Sequence, residues 1–320
     1  MTRQKLEIFI SGDNPEGKGL YPIFAIGSHY CICNSRYTLD PQTRHMYVRA
    51  RMLIPLGDEI SVQYLSALYG NFKRRKKIKD EWYFDCTCRR CSGKLKRAVL
   101  SGVVPRQGQH ASNLLFSDPA ERGTFISAIK CPNCGTGNML PENSLDYDSE
   151  WKCSLQDDNS KGCDYTMTCD KIEKMVDEVE EDLNSINASG NFDKYSQFIK
   201  YYSDILLHKN HYLIITAARN LVQWYTYRNG SIKDEELREK QSLCKQLDFV
   251  LARIDPGYSE IRSFVQKELH FATLMLIQRD LQSGVVDRET YLETTRISMK
   301  ALDELERYKN LIKFNWIMPN

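Results

Sequence analysis

The feature that most narrows what this chain can fold into is the spacing of its cysteines. Cys86, Cys88 and Cys91 form a Cys-x-Cys-x-x-Cys cluster, and Cys131-Pro132-Asn133-Cys134 forms a Cys-x-x-Cys followed by Gly135-Thr136-Gly137. Thiolates at such spacing are the usual ligands of structural zinc, which binds four of them in a closed tetrahedron. The first cluster therefore needs a fourth sulfur, which a lone upstream cysteine can supply. The second pair needs two more. Trp151-Lys152-Cys153, Cys163 and Cys169 are the candidates; Cys153 and Cys163 are favoured as closing ligands, with Cys169 able to replace either and otherwise a spare buried thiol.

Composition decides between this reading and a disulfide framework. The chain has eleven cysteines, but its opening Met-Thr-Arg-Gln-Lys-Leu-Glu lacks the apolar segment of a secretory signal, and no run reaches membrane-spanning length. Clustered cysteines without a secretory signal point to zinc in a reducing compartment, cytosolic or nuclear. With 44 Lys and Arg against 42 Asp and Glu, the formal charge is +2. That is too small to argue for a polyanion partner, and no recognisable finger spacing supports a zinc-dependent nucleic-acid binder.

Residues 1–64 read as short β-units cut by turns. Leu6–Ile10, Met46–Ala50 and Ile60–Tyr64 have strand character, Asp13–Gly19 is a loop, and Pro55-Leu56-Gly57-Asp58 is a turn. Over 65–82, Leu65, Leu68, Phe72 and Ile78 fall near helical spacing around Lys73-Arg74-Arg75-Lys76-Lys77. That basic run reads as a solvated helix face in preference to a localisation signal or a patch for an acidic partner. From about 171 the pattern is helical: Ile172, Met175, Val176, Val179 and Leu183 lie at i, i+3, i+4, i+7 and i+11. Further helical segments over 195–308 are separated by Asn229-Gly230, Asp255-Pro256-Gly257 and Ser283-Gly284. This predicts an array of antiparallel helix pairs with TPR-like architecture.

Three blocks carry a family resemblance: Ser28-His29-Tyr30-Cys31-Ile32-Cys33-Asn34, Gly57-Asp58-Glu59-Ile60-Ser61-Val62-Gln63-Tyr64, and Trp82-Tyr83-Phe84-Asp85-Cys86-Thr87-Cys88-Arg89-Arg90-Cys91. In order and spacing they resemble Asn-His-Ser-Cys-x-Pro-Asn, Gly-Glu-Glu-Ile-x-x-x-Tyr and Phe-x-Cys-x-Cys-x-x-Cys of the C-terminal half of a SET domain. The family is SET-and-MYND (SMYD), a group of protein-lysine methyltransferases, and its arthropod SmydA, or msta-like, branch in particular. Leu207–Tyr212, Leu243-Cys244 and Asp255–Ser259 extend the resemblance into the helical region.

The resemblance implies that Cys31 is the fourth ligand beside Cys86, Cys88 and Cys91. It makes Tyr64 the catalytic tyrosine, whose hydroxyl faces the channel where a lysine amine meets the methyl group of S-adenosylmethionine. Ser28, His29, Tyr64 and Phe84 would line the cofactor, with Phe84 against the adenine, and Asn34 matches the last motif position. On composition alone, Tyr64 is a strand-end sheet residue and Trp82 and Phe84 are core aromatics. The chain departs from the pattern in three places: Ser28 stands for asparagine, Tyr30 for serine and Cys33 for proline. Serine cannot offer the paired donor and acceptor of an amide. Neither a Gly-x-Gly loop nor a MYND cluster precedes Leu6, so the reading is of an N-terminally truncated SET domain.

The expectation is thus an α+β chain. The C-terminal half of a SET domain occupies 1–81, a post-SET zinc cluster 82–92, a linker 93–117, a zinc-ribbon-like module 118–170 and a TPR-like helical array 171–320. The linker interrupts a run that the SmydA pattern keeps continuous, and Gly93-Lys94 and Leu115-Phe116-Ser117-Asp118 can be encoded by splice-donor and splice-acceptor sequences. A translated intron accounts for it; a plain loop of Ser, Gly, Gln and Pro is the alternative. The implied activity is lysine N-methylation of a histone or other protein, with zinc and S-adenosylmethionine as cofactors. The alternative is a non-catalytic zinc scaffold holding a peptide partner in transcriptional regulation. A monomer without membrane attachment is expected in either case.

Overall fold

The computed structural model describes residues 8–9, 18–19, 21–40, 42–93, 125–155, 162–228 and 232–312. The expected linker, apart from Gly93, and the Asp118–Thr124 run after it lie outside these residues, as does most of the Leu6–Ile10 strand. Among the described residues no helix is long and apolar enough to cross a membrane.

The N-terminal part is β-rich and made of short pieces, as its turn-broken sequence requires. Strand β1 (Ile8–Phe9) pairs antiparallel with β2 (Lys18–Gly19). Strands β3 (Ser28–His29), β4 (Ser35–Leu39), β5 (Met46–Ala50) and β6 (Ser61–Val62) follow. β4 and β5 form an antiparallel hairpin in register from Ser35↔Ala50 to Leu39↔Met46. Its turn is set by the Asp40 carboxylate, which accepts the backbone N–H groups of Gln42 and Thr43 at 2.9 and 3.0 Å. β3 and β6 pair in parallel, a geometry that needs a long crossover. The β4–β5 hairpin supplies it, bringing Ser28 and His29 beside the approach to Tyr64.

Helix α1 (Asn71–Trp82) begins later than its periodicity suggests. The carbonyls of Ala67 and Tyr69 are taken by the Arg90 and Arg74 guanidinium groups at 2.6 and 2.9 Å, so Leu65 and Leu68 sit buried in an irregular segment. The helix starts where Ser127 Oγ accepts the Asn71 N–H at 2.8 Å. The reading of residues 73–77 as a solvated face is corrected: Arg74 and Arg75 are 0% and 2% exposed, while Lys76 is exposed. Arg75 donates to the carbonyls of Cys86, Ser144 and Leu145 at 3.3, 3.3 and 2.8 Å and lies over the Tyr147 ring. It joins the first cysteine cluster to the module that follows.

That module is an antiparallel sheet of β7 (Ile129–Lys130), β8 (Asn138–Pro141), β9 (Trp151–Cys153) and β10 (Thr166–Met167), in that spatial order. Its β7 edge is bonded to the chain beyond it, with His208 N donating to Ala128 O at 3.1 Å and Lys130 N to Leu206 O at 2.6 Å. Helices α2 (Cys169–Ser189), α3 (Lys194–Ile205), α4 (Tyr212–Tyr227), α5 (Asp234–Ile254), α6 (Glu260–Gln282) and α7 (Arg288–Ile312) complete the chain. From α3 onward each packs on the next, as short connections between amphipathic helices favour. Apolar residues on several sides of α4 (Leu213, Ile214, Ala217, Ala218, Leu221 and Val222) are buried, because it is covered by both α3 and α5. One core runs from Phe72 through Ile129 and Trp151 to Val250 and Val265, so sheet module and helices share their interior.

The β-rich part is also locked to the α5–α6 turn. Arg51 forms an ion pair with Asp255 at 2.5 Å, their side chains 5% and 10% exposed. The Arg51 carbonyl accepts Tyr258 N–H at 3.1 Å. Gly257, at φ 76°, lies where an added Cβ would come within 2.3 Å of that carbonyl, so no side chain fits there.

Candidate functional site

Two groups of four cysteines come together, Cys31 with Cys86, Cys88 and Cys91, and Cys131 with Cys134, Cys153 and Cys163; within each, all sulfurs lie inside 4.8 Å of one another. Their separations decide what they can hold. Cys31 Sγ is 3.8 Å from Cys86 Sγ and 3.5 Å from Cys91 Sγ, and the Cys131–Cys163 and Cys134–Cys153 sulfurs are each 3.7 Å apart. A disulfide requires about 2.05 Å. Four sulfurs at about 2.3 Å from a tetrahedral zinc stand about 3.8 Å from one another. Both sets fit zinc. Cys169, the spare thiol of the sequence reading, is outside both and is buried in the shared core near Trp151.

In the first tetrad Cys31 follows β3 and the other three lie just past α1. Cys31, Cys86 and Cys91 are 0%, 4% and 0% exposed. The thiols around Cys31, Cys86 foremost, and the Arg74 guanidinium hold its pKa well below the ordinary thiol value, against the opposing effect of burial. The same contacts with Cys31, together with burial, raise Cys86 and Cys91, so zinc binding has to displace their protons. In the second tetrad the Cys131–Cys134 knuckle turns through Gly135, at φ 67°. At Gly137 an added Cβ would sit 2.3 Å from Cys153 Sγ, so glycine alone lets β8 approach that sulfur. The N–H groups of Gly137 and Thr136 hold Cys134 down to about 6.

Beside the first tetrad lies an aromatic wall. The Tyr64 ring is 5.1 Å from His29, 5.4 Å from Trp82 and 6.5 Å from Phe84, and His29 is 6.1 Å from Phe84. Tyr64 OH donates to the Gly27 carbonyl at 2.7 Å, and burial raises its pKa; the hydroxyl stays protonated. Tyr64 N–H donates to His29 Nδ1 at 3.1 Å, which places the ring proton on Nε2, 3.3 Å from Cys31 Sγ. Tyrosine, histidine and zinc ligand are thus joined in one chain of contacts. Ser28 Oγ is bonded to the Glu59 carboxylate. Asn34 accepts Ser61 N–H and donates to Glu59 O, both at 2.8 Å, which pins the β3–β4 connection to β6. Cys33 is buried and receives a hydrogen bond from Arg51 Nη1 at 3.4 Å.

His29, Tyr64 and Phe84 therefore fall together, while Ser28, the neighbour of His29 in β3, has its hydroxyl engaged by Glu59. The sequence reading missed the buried arginines. Arg90 is 0% exposed and lies inside a Cys-x-x-Cys; a cation between thiolate ligands was the available signal.

No family model matches the chain. It is 23% identical over 260 residues to SET domain-containing protein SmydA-8, isoform A, of Drosophila melanogaster, covering 79% of this chain and 48% of that protein. It is 30% identical over 125 residues to histone-lysine N-methyltransferase ASHR1 of Arabidopsis thaliana, covering 38% and 25%. It is 34% identical over 87 residues to histone-lysine N-methyltransferase SMYD3 of Homo sapiens, covering 27% and 20%. The chain spans about half the length of the SmydA-8 proteins it matches.

Proposed function

The chain belongs to the SMYD family of SET-domain proteins, and from that premise we propose that it serves transfer of a methyl group from S-adenosylmethionine to a protein lysine, with Tyr64 as the catalytic residue. The observation that carries this reading is the Tyr64 hydroxyl held to the Gly27 carbonyl at 2.7 Å inside the wall of His29, Trp82 and Phe84. S-adenosylmethionine, when bound, supplies the electrophilic methyl on a positive sulfur.

The chain's own residues do the rest. Tyr64 orients the lysine amine with a hydroxyl that is itself fixed, so little reorganisation accompanies reaction. The aromatic wall excludes water, which disfavours the charged ammonium and helps the amine arrive neutral. Phe84 offers a face to the adenine. Zinc at Cys31, Cys86, Cys88 and Cys91 would fasten the 82–91 segment beside β3 and so hold Trp82 and Phe84 against Tyr64; a second zinc at Cys131, Cys134, Cys153 and Cys163 would stabilise the sheet module. Thiolates kept for zinc suit a reducing compartment, cytoplasm or nucleus, and the helical array, TPR-like in this reading, would present the protein substrate.

One observation favours a second reading, a non-catalytic zinc scaffold: Ser28, where the family places an asparagine, is bonded to Glu59 and offers the cofactor no amide. Titrating S-adenosylmethionine into the purified chain and assaying methylation of a mixed histone preparation separates the two. The catalytic reading predicts micromolar binding and methyl transfer that Tyr64→Phe abolishes while leaving binding intact. A zinc-loaded chain that binds no cofactor establishes the scaffold instead.

A further inference from the structure

The two tetrads have different surroundings, and the difference is electrostatic. A zinc ion with four thiolates carries a net formal charge of minus two, and a buried charge is costly unless a partner of opposite sign is buried with it. The first tetrad has one such partner that reaches its sulfurs. Arg74, 0% exposed, donates from Nε to Cys31 Sγ at 3.1 Å and from Nη2 to Cys91 Sγ at 3.4 Å. Its remaining donors reach Tyr69 O and Asn71 Oδ1, both at 2.9 Å.

Arg90, equally buried, is fixed by Nη2 to the Ala67 carbonyl at 2.6 Å. Among the described residues its Nε and Nη1 have no hydrogen-bond partner. Burial and the Arg74 guanidinium pull its pKa down to about 9, with the sulfurs of Cys31, Cys91 and Cys88 opposing, and among the described residues none of its donors reaches a sulfur.

The second tetrad is served by neutral donors: Gly137 N–H to Cys134 at 3.3 Å, Asn133 Nδ2 to Cys163 at 3.4 Å and Leu155 N–H to Cys153 at 3.5 Å. Cys134 and Cys163 are partly exposed, as Cys88 is in the first tetrad, whose Cys31, Cys86 and Cys91 are buried.

We propose that Arg74 is a positioning residue of the first zinc centre, offsetting part of its charge and making it the slowly exchanging zinc, while the second tetrad releases its zinc first. The inference rests on both tetrads holding zinc, as the proposed function has them.

The experiment adds excess chelator to the purified zinc-loaded full chain and follows zinc release with a chromogenic indicator. Two phases of equal amplitude are expected, with Cys134→Ser removing the fast one and Cys86→Ser the slow one. Arg74→Gln should accelerate the slow phase by about 10- to 100-fold, the usual effect of removing a partner of a metal ligand, and leave the fast phase unchanged. Arg74→Lys keeps the charge but cannot span two sulfurs, and should fall between. In cobalt-substituted Arg74→Gln, the sulfur-to-metal charge-transfer band of the first site should move to lower energy, which a purely structural defect would not produce.

A single release phase in the wild type overturns the proposal, as does a slow phase unmoved in Arg74→Gln. If Arg74→Gln does not fold, Arg74→Lys decides: slow release at the wild-type rate overturns the proposal, faster release supports it. A chain without zinc sinks the underlying reading rather than this one.

Discussion

The contact between the β-rich part and the helices can be tested through Asp255. Its carboxylate is paired with Arg51 at 2.5 Å, both side chains nearly inaccessible, and it also accepts the Ser259 hydroxyl, the group that caps α6 by accepting Arg262 N–H at 3.2 Å. Asp255→Ala leaves the Arg51 guanidinium buried with, among the described residues, only the Cys33 thiol at 3.4 Å. Removing one member of a buried ion pair costs about 3–5 kcal/mol, whereas replacing both members by apolar groups restores much of it. With a urea m-value of about 1–3 kcal/mol/M, the single variant should unfold at a midpoint at least about 1 M lower. Arg51→Met with Asp255→Ala should recover more than half of that shift. Urea titrations followed by tryptophan fluorescence, run as a double-mutant cycle, measure the coupling directly. A loss below about 1 kcal/mol for Asp255→Ala, or a double variant as unstable as the sum of the singles, refutes the assignment of this pair as the lock.

Two further outcomes follow from neighbouring geometry. Gly257→Ala must adopt φ 76° and place its Cβ 2.3 Å from the Arg51 carbonyl; a loss of about 1–3 kcal/mol is expected, read as a fall in thermal midpoint, and an unchanged midpoint contradicts the close approach. His211 is 1% exposed, and burial, helped by His208, pulls its pKa to about 3. The native ring stays neutral, while the unfolded chain takes up a proton below about 6.5. Stability from this group is therefore present at neutral pH and lost as pH falls, by about 2 kcal/mol between pH 7 and 5. His211→Asn keeps an acceptor for the Leu213 N–H that His211 caps and should remove that part of the slope; equal pH slopes in both proteins exclude it.

The Cys86-Cys88-Cys91 and Cys131-Cys134 parts of the tetrads were legible because metal ligands repeat at fixed short spacings; Cys31 came from the family resemblance, and the closing choice of Cys153 and Cys163 over Cys169 corresponds to the sulfurs brought together. The helices were legible for the related reason that apolar residues recur along one face: Ile172, Val179 and Leu183, picked out by periodicity, are buried in α2. The buried arginines were not legible. A run of five cations looks solvated until the thiolates and free carbonyls that Arg74 and Arg75 reach are placed in space. The same holds for Arg51 and Asp255, which are about two hundred residues apart in a chain where only folding brings them to one contact. The start of α1 was hidden likewise, since it depends on arginine side chains that take the carbonyls of Ala67 and Tyr69.

The most direct measurement of the central claim is the zinc content of the intact chain by native mass spectrometry. Two zinc ions per chain are expected, falling to one in Cys86→Ser and to one in Cys134→Ser, because each variant opens one tetrad only. A folded wild-type chain that carries no zinc, or a single ion lost in both variants alike, would contradict it.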